Sequence, residues 1–594
     1  MLHDMLGWIR DQKMPSSFES TGLTKTIYLD IMEQTLRAYN KEALERRLPP
    51  SKADKVDDIH AYARITSIIG ILISQGRLRG WRSLWERMMD ACCNDFHRAS
   101  HDYMIDFSVK EIMLSYLAMK EQLDEPTRER WLTELRKIEP ERNYFHLIRE
   151  GRDESHLHNI NVYNMVGEYL RETEGLTDTN DYFARHWPAQ LERFDGNGMY
   201  KDPNCPILYD LATRVQIQLV LGHGYKGEFL EALDSQLKKG ALCTLFMQSA
   251  AFEHPYGGRS NQYLFNEALM AANAEYEACR YRDSGDLKTA GAFKRSARLA
   301  VQSVLRWLEK EPPRHIKNMY AIESQVGTES YGYYDKYMAT LGSFIYIAYL
   351  FADDQIEEQP CPAEIGGYVW ETSEAFHKIF ANAANYSLQI DTKADHHYDS
   401  TGLGRLHRRG VPSELGLSTP FTATPSYVLP AGTKPTSLAI GPGWKDDNGN
   451  LEFLSDLSDG LEHRVKVLAE SSDRVIFELE YFGDAFTSSC ASIKECYTLN
   501  KDGLVIHSEL NDRLNSQDIV FRVPLLCSNG EAGTEQVKHN GKLIVSMKSN
   551  DYIIDFEEGC KILECHTANR NGQYSVLQVE GQSKAKVQVH LQLR

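Results

Sequence analysis

The chain has 594 residues, 42% of them hydrophobic, 25% charged and 10% aromatic, with 31 tyrosines and a formal net charge of −18 at pH 7. That length fits roughly two to four domains, and the charge argues against a nucleic-acid partner, because backbone phosphates require clustered Lys and Arg. It leaves open an anionic small substrate in a local basic pocket, and no span approaches the ~20 apolar residues of a membrane helix.

The N-terminal "MLHDMLGWIRDQKMPSSF" has no apolar run of the signal-peptide kind. If Met1 is the native start, a cytoplasmic location is expected; a removed leader would instead mean a secreted or periplasmic protein. The 11 cysteines are scattered and odd in number, with Cys92 and Cys93 adjacent, so buried free thiols are expected rather than a disulfide framework.

From about Thr24 to Asp354 the pattern is helical, as in "DDIHAYARITSIIGILIS", "YDLATRVQIQLVLGHG" and "FKRSARLAVQSVLRWLEK". Apolar residues recur there at steps of three and four, and Gly, Pro, Asn or Asp break the segments. About a dozen such segments, without solenoid-type repetition, suit a toroid of paired helices or a large irregular bundle. After "EEQPCPAEIGG" the period becomes two, as in "YSLQIDT", "RVIFELEYF" and "AKVQVHLQL", with "DDNGN", "NKDG" and "HNGK" as turns. The expected class is therefore α+β multidomain: an (α/α) toroid over residues 1–355, a linker over 356–385, and an antiparallel β-sandwich over 386–594. The absence of βαβ alternation and of a phosphate-cradling Gly-rich loop sets nucleotide-dependent enzymes aside.

Five polar, aromatic stretches interrupt these elements. In "ESHLHNINVYNMVGEYL", His156, His158 and Asn159 precede a helix, where Asn could simply cap it. His-x-His alone does not define a metal site, since no third ligand is near. In "FDGNGMYKDPNCPILYDLATRVQI", Tyr209 and Arg214 fall in the first turns of a helix, as site residues or as ordinary packing. In "AFEHPYGGRSNQYLFNEA", Gly257 and Gly258 permit positive φ beside Tyr256, while Arg259 and Asn261 stand at a helix start that favours anions. Glu267 is placed to hold Arg259 or Asn261, with a buried Arg–Glu pair as the structural alternative. "NMYAIESQVGTESYGYYDKYMATLGSF" carries five tyrosines from Tyr320 to Tyr337, among them Tyr331 and Tyr334, with Glu323, Glu329, Asp335 and Lys336. Finally, "KADHHYDSTGLGRLHRRG" brings His396, His397, Tyr398, Asp399 and Arg405 together where the strands begin.

This kit of Tyr, His, Arg and Asn suits β-elimination beside a uronic acid. The C5 proton is weakly acidic until Arg, Asn or a protonated His neutralises the carboxylate; Tyr or His then removes the proton, and Tyr or His protonates the departing O4. The helical half, the strand-rich half and these loops resemble the toroid polysaccharide lyases, broadly the heparinase II/III-like group. The matching elements are His158-Asn159, the segment ending at Tyr209, and His396-His397. "YGGRSNQ" and "ESYGYYDKY" also resemble the rhamnose–glucuronate lyases of polysaccharide lyase family 27.

The resemblance implies a catalytic set of Tyr209, His158, Asn159 and His397, with the final His open between His396 and His397. Arg259, Asn261, Arg214, Glu267, Tyr256, Tyr331, Tyr334, His396 and Arg405 are expected to bind substrate. It also implies a uronate-containing oligosaccharide or polysaccharide as partner, and in the narrower form an exo-acting release of terminal rhamnose from glucuronate. No cofactor is expected, and a structural or catalytic divalent metal is left open. Two alternatives remain: a glycoside hydrolase using carboxylates such as Glu267, Glu329 or Asp335, and a non-catalytic glycan-binding protein.

Overall fold

The computed structural model describes residues 3–51, 54–100, 104–445, 448–486, 490–512, 518–539, 541–556, 559–581 and 585–594. Among them, six helices form a closed inner ring: α1 (Ile59–Ser74), α2 (Ser108–Met119), α3 (Asn159–Thr173), α4 (Ile207–Gly222), α5 (Phe265–Asp283) and α6 (Tyr334–Phe351). Each packs on the next, and α6 returns to α1. Helices Arg82–Phe96, Leu230–Met247, Leu287–Leu308 and Thr26–Thr35 pack outside them. This is an (α/α) toroid.

Sequence separates the two layers. In α1 every residue from Ala61 to Ile73 is buried, because a helix walled in on all sides must be apolar or internally paired all round. The outer helix Arg82–Phe96 buries only a stripe containing Leu84, Trp85, Met88, Met89, Cys92 and Cys93. Inner helices also carry buried polar residues that find partners, such as Arg214 with Asp210 at 2.7 Å.

Beyond the toroid, the described residues form three antiparallel sheets, of four, eight and five strands. The four-stranded sheet comprises β1 (Tyr368–Glu371), β2 (Lys378–Ala383), β3 (Tyr386–Asp391) and β4 (Gly402–Arg408), paired in that order. The eight- and five-stranded sheets enclose a second apolar core that includes Phe477, Tyr497, Phe521 and Leu577.

The segment expected as a linker, 356–385, contains β1 and β2 instead. Its side chains alternate between two cores: Tyr368, Trp370 and Phe380 join the helical core, and Val369, Ile379 and Ala381 join the β core. A sheet covered on both faces loses the apolar–polar alternation that marks a half-exposed strand, so β1 and β2 read as connecting chain. Hydrogen bonds tie it to the toroid: Ala250 N donates to Ser387 Oγ at 2.8 Å, and the Tyr368 hydroxyl to the Phe246 carbonyl at 2.9 Å. No helix among the described residues is long and apolar enough to cross a membrane, and their cysteines are free thiols.

Candidate active site

All six inner helices direct their N-terminal ends at one cavity of about 700 Å³. Its lining includes Ile59 and His60 of α1, Phe107 before α2, Asn159 and Ile160 of α3, Leu208 and Tyr209 of α4, Phe265 of α5, and Lys336 and Tyr337 of α6. Helix N-termini present unpaired N–H groups and the positive end of the helix dipole, so this convergence favours a negatively charged occupant.

Arg259 lines the cavity from the turn before α5, its guanidinium 4.5 Å from the Tyr209 ring centre. It is aligned by the Asp202 carboxylate and by the Pro203 carbonyl at 2.7 Å. The other oxygen of Asp202 accepts the Asn159 N–H at 2.9 Å, so one buried carboxylate positions both residues. His158 caps α3, its Nδ1 accepting from Ile160 N at 3.3 Å, and packs edge-on to His146 at 4.2 Å. Burial holds the His158 ring below its ordinary pKa, with Asp202 opposing and Arg259 reinforcing that shift. A neutral ring accepting at Nδ1 carries its proton on Nε2, which is then a hydrogen-bond donor rather than a base.

The Tyr209 hydroxyl shares a hydrogen bond with Ser260 Oγ at 3.1 Å, and Ser260 Oγ shares another with the Tyr331 hydroxyl at 3.1 Å. Tyr331 is 37% exposed as a residue, so the three hydroxyls run from the half-buried Tyr209 phenol toward the outside, although burial raises the Tyr331 pKa as well. Burial raises the Tyr209 pKa, while Arg259 and the Ser260 hydrogen bond pull it back. Ser260 sits at φ 60°, a strained conformation for a residue with Cβ. It is held there by Glu329, which accepts from Ser260 N at 2.7 Å, Tyr263 Oη at 2.7 Å and Arg570 at 2.6 Å. Arg570 belongs to the β-domain, so that domain braces the toroid side of the site.

Of the residues expected from sequence, His158, Asn159, Tyr209, Arg259 and Tyr331 line this cavity together. The others do not line it. Asn261 is buried, its amide donating to the Gly258 carbonyl at 2.7 Å. Glu267 holds neither Arg259 nor Asn261; it accepts from Lys317 at 2.7 Å and from His254 N at 2.9 Å, and Asp202 takes the role expected of it. Arg214 is fully buried between Asp210, Thr244 and Asn273 inside the toroid wall. Tyr256 and Arg405 lie in the domain interface, where Tyr256 N donates to Gln389 at 3.1 Å and Arg405 donates to the His254 carbonyl at 2.7 Å.

Tyr334, the first residue of α6, packs its ring against His315 at 5.2 Å and does not line the cavity. His396 is tied down through its carbonyl by Thr424 at 2.8 Å. His397 is exposed, 3.2 Å from Thr424 Oγ1, so neither histidine reaches Tyr209's wall. Their neighbour Tyr398 does approach: burial raises its pKa, and Arg259 opposes that rise. Gly258 takes φ 75° and gives its N–H to Asp399 at 3.0 Å, and a Cβ there would stand 2.5 Å from Pro206 Cβ. The close-approach reading of that glycine therefore concerns packing across the domain junction.

The sequence reading gave no role to His60, Arg64, Asp202, Ser260, Tyr163 or Tyr337. Asp58-Ile59-His60 at a helix start is a visible cap signal, and Asp58 Oδ1 does accept from Ala61 N at 3.4 Å. Nothing local marks Ser260, whose positive φ is held by Glu329, 69 positions away, itself paired with Arg570.

No family model matches the chain, and no curated protein matches it. Among solved structures, the chain is similar to the Streptomyces coelicolor A3 chondroitin AC lyase in complex with chondroitin sulphate, with 9% identity over 99% of this chain and 81% of that one, and a TM-score of 0.48. It is also similar to a heparinase III, with 10% identity over 99% of this chain and 88% of that one, and a TM-score of 0.32. At these values the likeness assigns no residue and no reaction. Among the described residues no group of three or more His, Cys, Asp or Glu is placed to hold a metal ion.

Proposed function

We propose that this cavity is the active site of a lyase that cleaves the glycosidic bond at C4 of a uronic acid, glucuronate in the preferred form, by β-elimination. The observation that carries the reading is the Tyr209 phenol, flanked by Arg259, Asn159 and His158, on a cavity that collects six helix N-termini. The uronate carboxylate lies toward Arg259 and the Asn159 amide, and the Nε2–H of His158 adds a donor. Neutralising that carboxylate acidifies the C5–H bond, since the charge of the developing enediolate meets donors already in place.

Tyr209 passes its hydroxyl proton to Ser260, Ser260 passes its own to Tyr331, and Tyr331 releases one to water. The phenolate beside Arg259 takes the C5 proton, the C4–O bond breaks, and the new phenol returns that proton to the departing oxygen. Such acid–base help is worth about two to four orders of magnitude. The cavity volume suits a short saccharide, which supports exo action; release of terminal rhamnose from glucuronate rests on the motif resemblance alone. Hydrolysis has less support, because Glu267 and Glu329 are consumed by Lys317 and Arg570 and neither lines the cavity.

The test is a screen of uronate-containing oligosaccharides for the ultraviolet absorbance of a 4,5-unsaturated product, repeated with Tyr209→Phe. Sugar release without the chromophore would reject elimination. Full activity in the variant would reject Tyr209 as the proton-transfer group.

A further inference from the structure

The end of the cavity away from Arg259 has no part in that chemistry, yet it concentrates positive charge. Phe107 and Tyr163, 5.0 Å apart at their ring centres, stand between the Tyr209 wall and a cluster of His60, Arg64 and Lys336. Arg64 is 2% exposed and lies over Phe107 and Phe344 at 5.7 Å from each ring. One terminal nitrogen donates to His60 and to Thr340 Oγ1 at 2.9 Å; the other has no hydrogen bond among the described residues. Since His60 accepts at Nε2, its neutral ring keeps a proton on Nδ1, and burial and Arg64 hold it well below its ordinary pKa.

Lys336 lines the same end and pairs with no carboxylate among the described residues. Behind the wall, fully buried Lys110 lies 2.7 Å from Glu111, and Arg64 lies 3.5 Å from that same carboxylate. Glu111 is thus shared by two cations. The remaining acidic groups are Asp58, which caps α1 and itself lines this end of the cavity, and Asp335, which reaches Arg47 at 4.0 Å; both act on Lys336 electrostatically, so among the described residues only Glu111, Asp58 and Asp335 stand against Arg64, Lys110, Lys336 and Arg47. Cations with too few counter-charges beside apolar rings are poorly solvated, and an anion entering from the cavity would relieve that cost.

We propose that His60, Arg64 and Lys336 form a subsite for a second anionic group, so that the substrate is a short saccharide with two negative charges. The second charge is a carboxylate or a sulfate ester on the sugar next to the uronate. This rests on the reading of the Arg259 end as the uronate site. Aromatic rings between two cationic ends fit a sugar whose faces stack while its anions point outward.

The test compares binding of three disaccharides by calorimetry in a Tyr209→Phe background. One carries a single glucuronate beside a neutral sugar, one carries that neutral sugar as a sulfate ester, and one carries two glucuronates. A charge-assisted contact predicts that at least one doubly charged probe binds roughly tenfold to a hundredfold tighter than the singly charged one. Lys336→Met should bring that ratio close to one, and Lys336→Arg should keep most of it. Whichever doubly charged probe shows the preference identifies the second group. Equal affinity for all three, or a preference that survives Lys336→Met, overturns the second subsite and leaves the uronate reading standing. Failure of every probe to bind overturns both.

Discussion

Arg259→Met is the sharpest perturbation of the proposed site, because it keeps most of the stem and removes the charge. Two separable losses follow. In catalysis, the carboxylate and the developing enediolate lose their fixed cation, and losing one such preorganised donor costs about a hundredfold to a thousandfold in kcat, or roughly 3–4 kcal/mol. In stability, Asp202 is 0% exposed and keeps only the Asn159 N–H, at 2.9 Å, of the partners described for it. Removing one partner of a fully buried pair costs roughly 3–5 kcal/mol. The Arg259 side chain is 22% exposed, so water reaches it and the loss should fall nearer 2–3 kcal/mol by the same scale. Adding Asp202→Asn removes the stranded charge and retains an acceptor for Asn159. The double variant should therefore recover thermal stability while kcat, followed by product absorbance, stays as low as in the single variant. Recovery of kcat in step with stability would refute the reasoning, since Arg259 would then act only by supporting the fold.

Ser260→Ala should lower kcat by about one to two orders of magnitude through loss of acid–base relay, and losing the hydrogen bond that pulls Tyr209 down should move the rise of rate with pH upward. Ser260→Gly relieves the φ 60° strain and should lose the same activity; an unchanged pH profile in either variant would refute the relay. His158→Ala should weaken both substrate binding and the start of α3, whereas His158→Asn keeps a cap acceptor and should isolate the catalytic loss in kcat. Glu495, buried between Tyr497 and Ser508, has its carboxyl pushed up to about 7 by burial. Its folded form therefore holds a proton that the unfolded chain releases near 4.5, so its contribution falls as pH rises from there through about 7. Glu495→Gln should stabilise the fold more at pH 8 than at pH 5, by no more than about 3 kcal/mol, read as a larger rise in melting temperature at pH 8. A gain independent of pH would reject the linkage.

The period of two was legible over the later strands, such as Leu461–Ser471, because they are half-exposed, and so was the helical run, because Arg82–Phe96 and its outer companions are amphipathic. In the middle sheet β3 was legible as "YSLQIDT", but β1 and β2, which bury both faces, were not. Within the site, His158, Asn159, Tyr209 and Arg259 were legible as polar residues crowded at helix starts, where a core helix needs none. His396-His397 looked equally chemical, yet Thr422 and Thr424 fix the chain there, which leaves His397 exposed and His396 half-buried away from the cavity. Arg64 was hidden by the opposite effect: it lies inside an otherwise apolar helix, and only the closing of the ring places it on the cavity.

The formal charge of −18 bears on which substrates such a site could use. A long polyanion approaching this chain meets net repulsion at distances beyond the Debye length, about 8 Å at physiological salt, before it reaches any cation. The attraction is confined to the cavity, where helix N-termini, Arg259 and Lys336 act at short range between apolar walls. A short saccharide with one or two charges pays little of that repulsion and enters most of the attractive region at once. The proposed lyase should therefore favour oligosaccharide ends over long chains, and rates on a polymeric uronate should rise when salt screens the outer field. If polymer turnover instead falls steeply with salt from a high value, long-range attraction dominates, and the short-substrate reading is wrong.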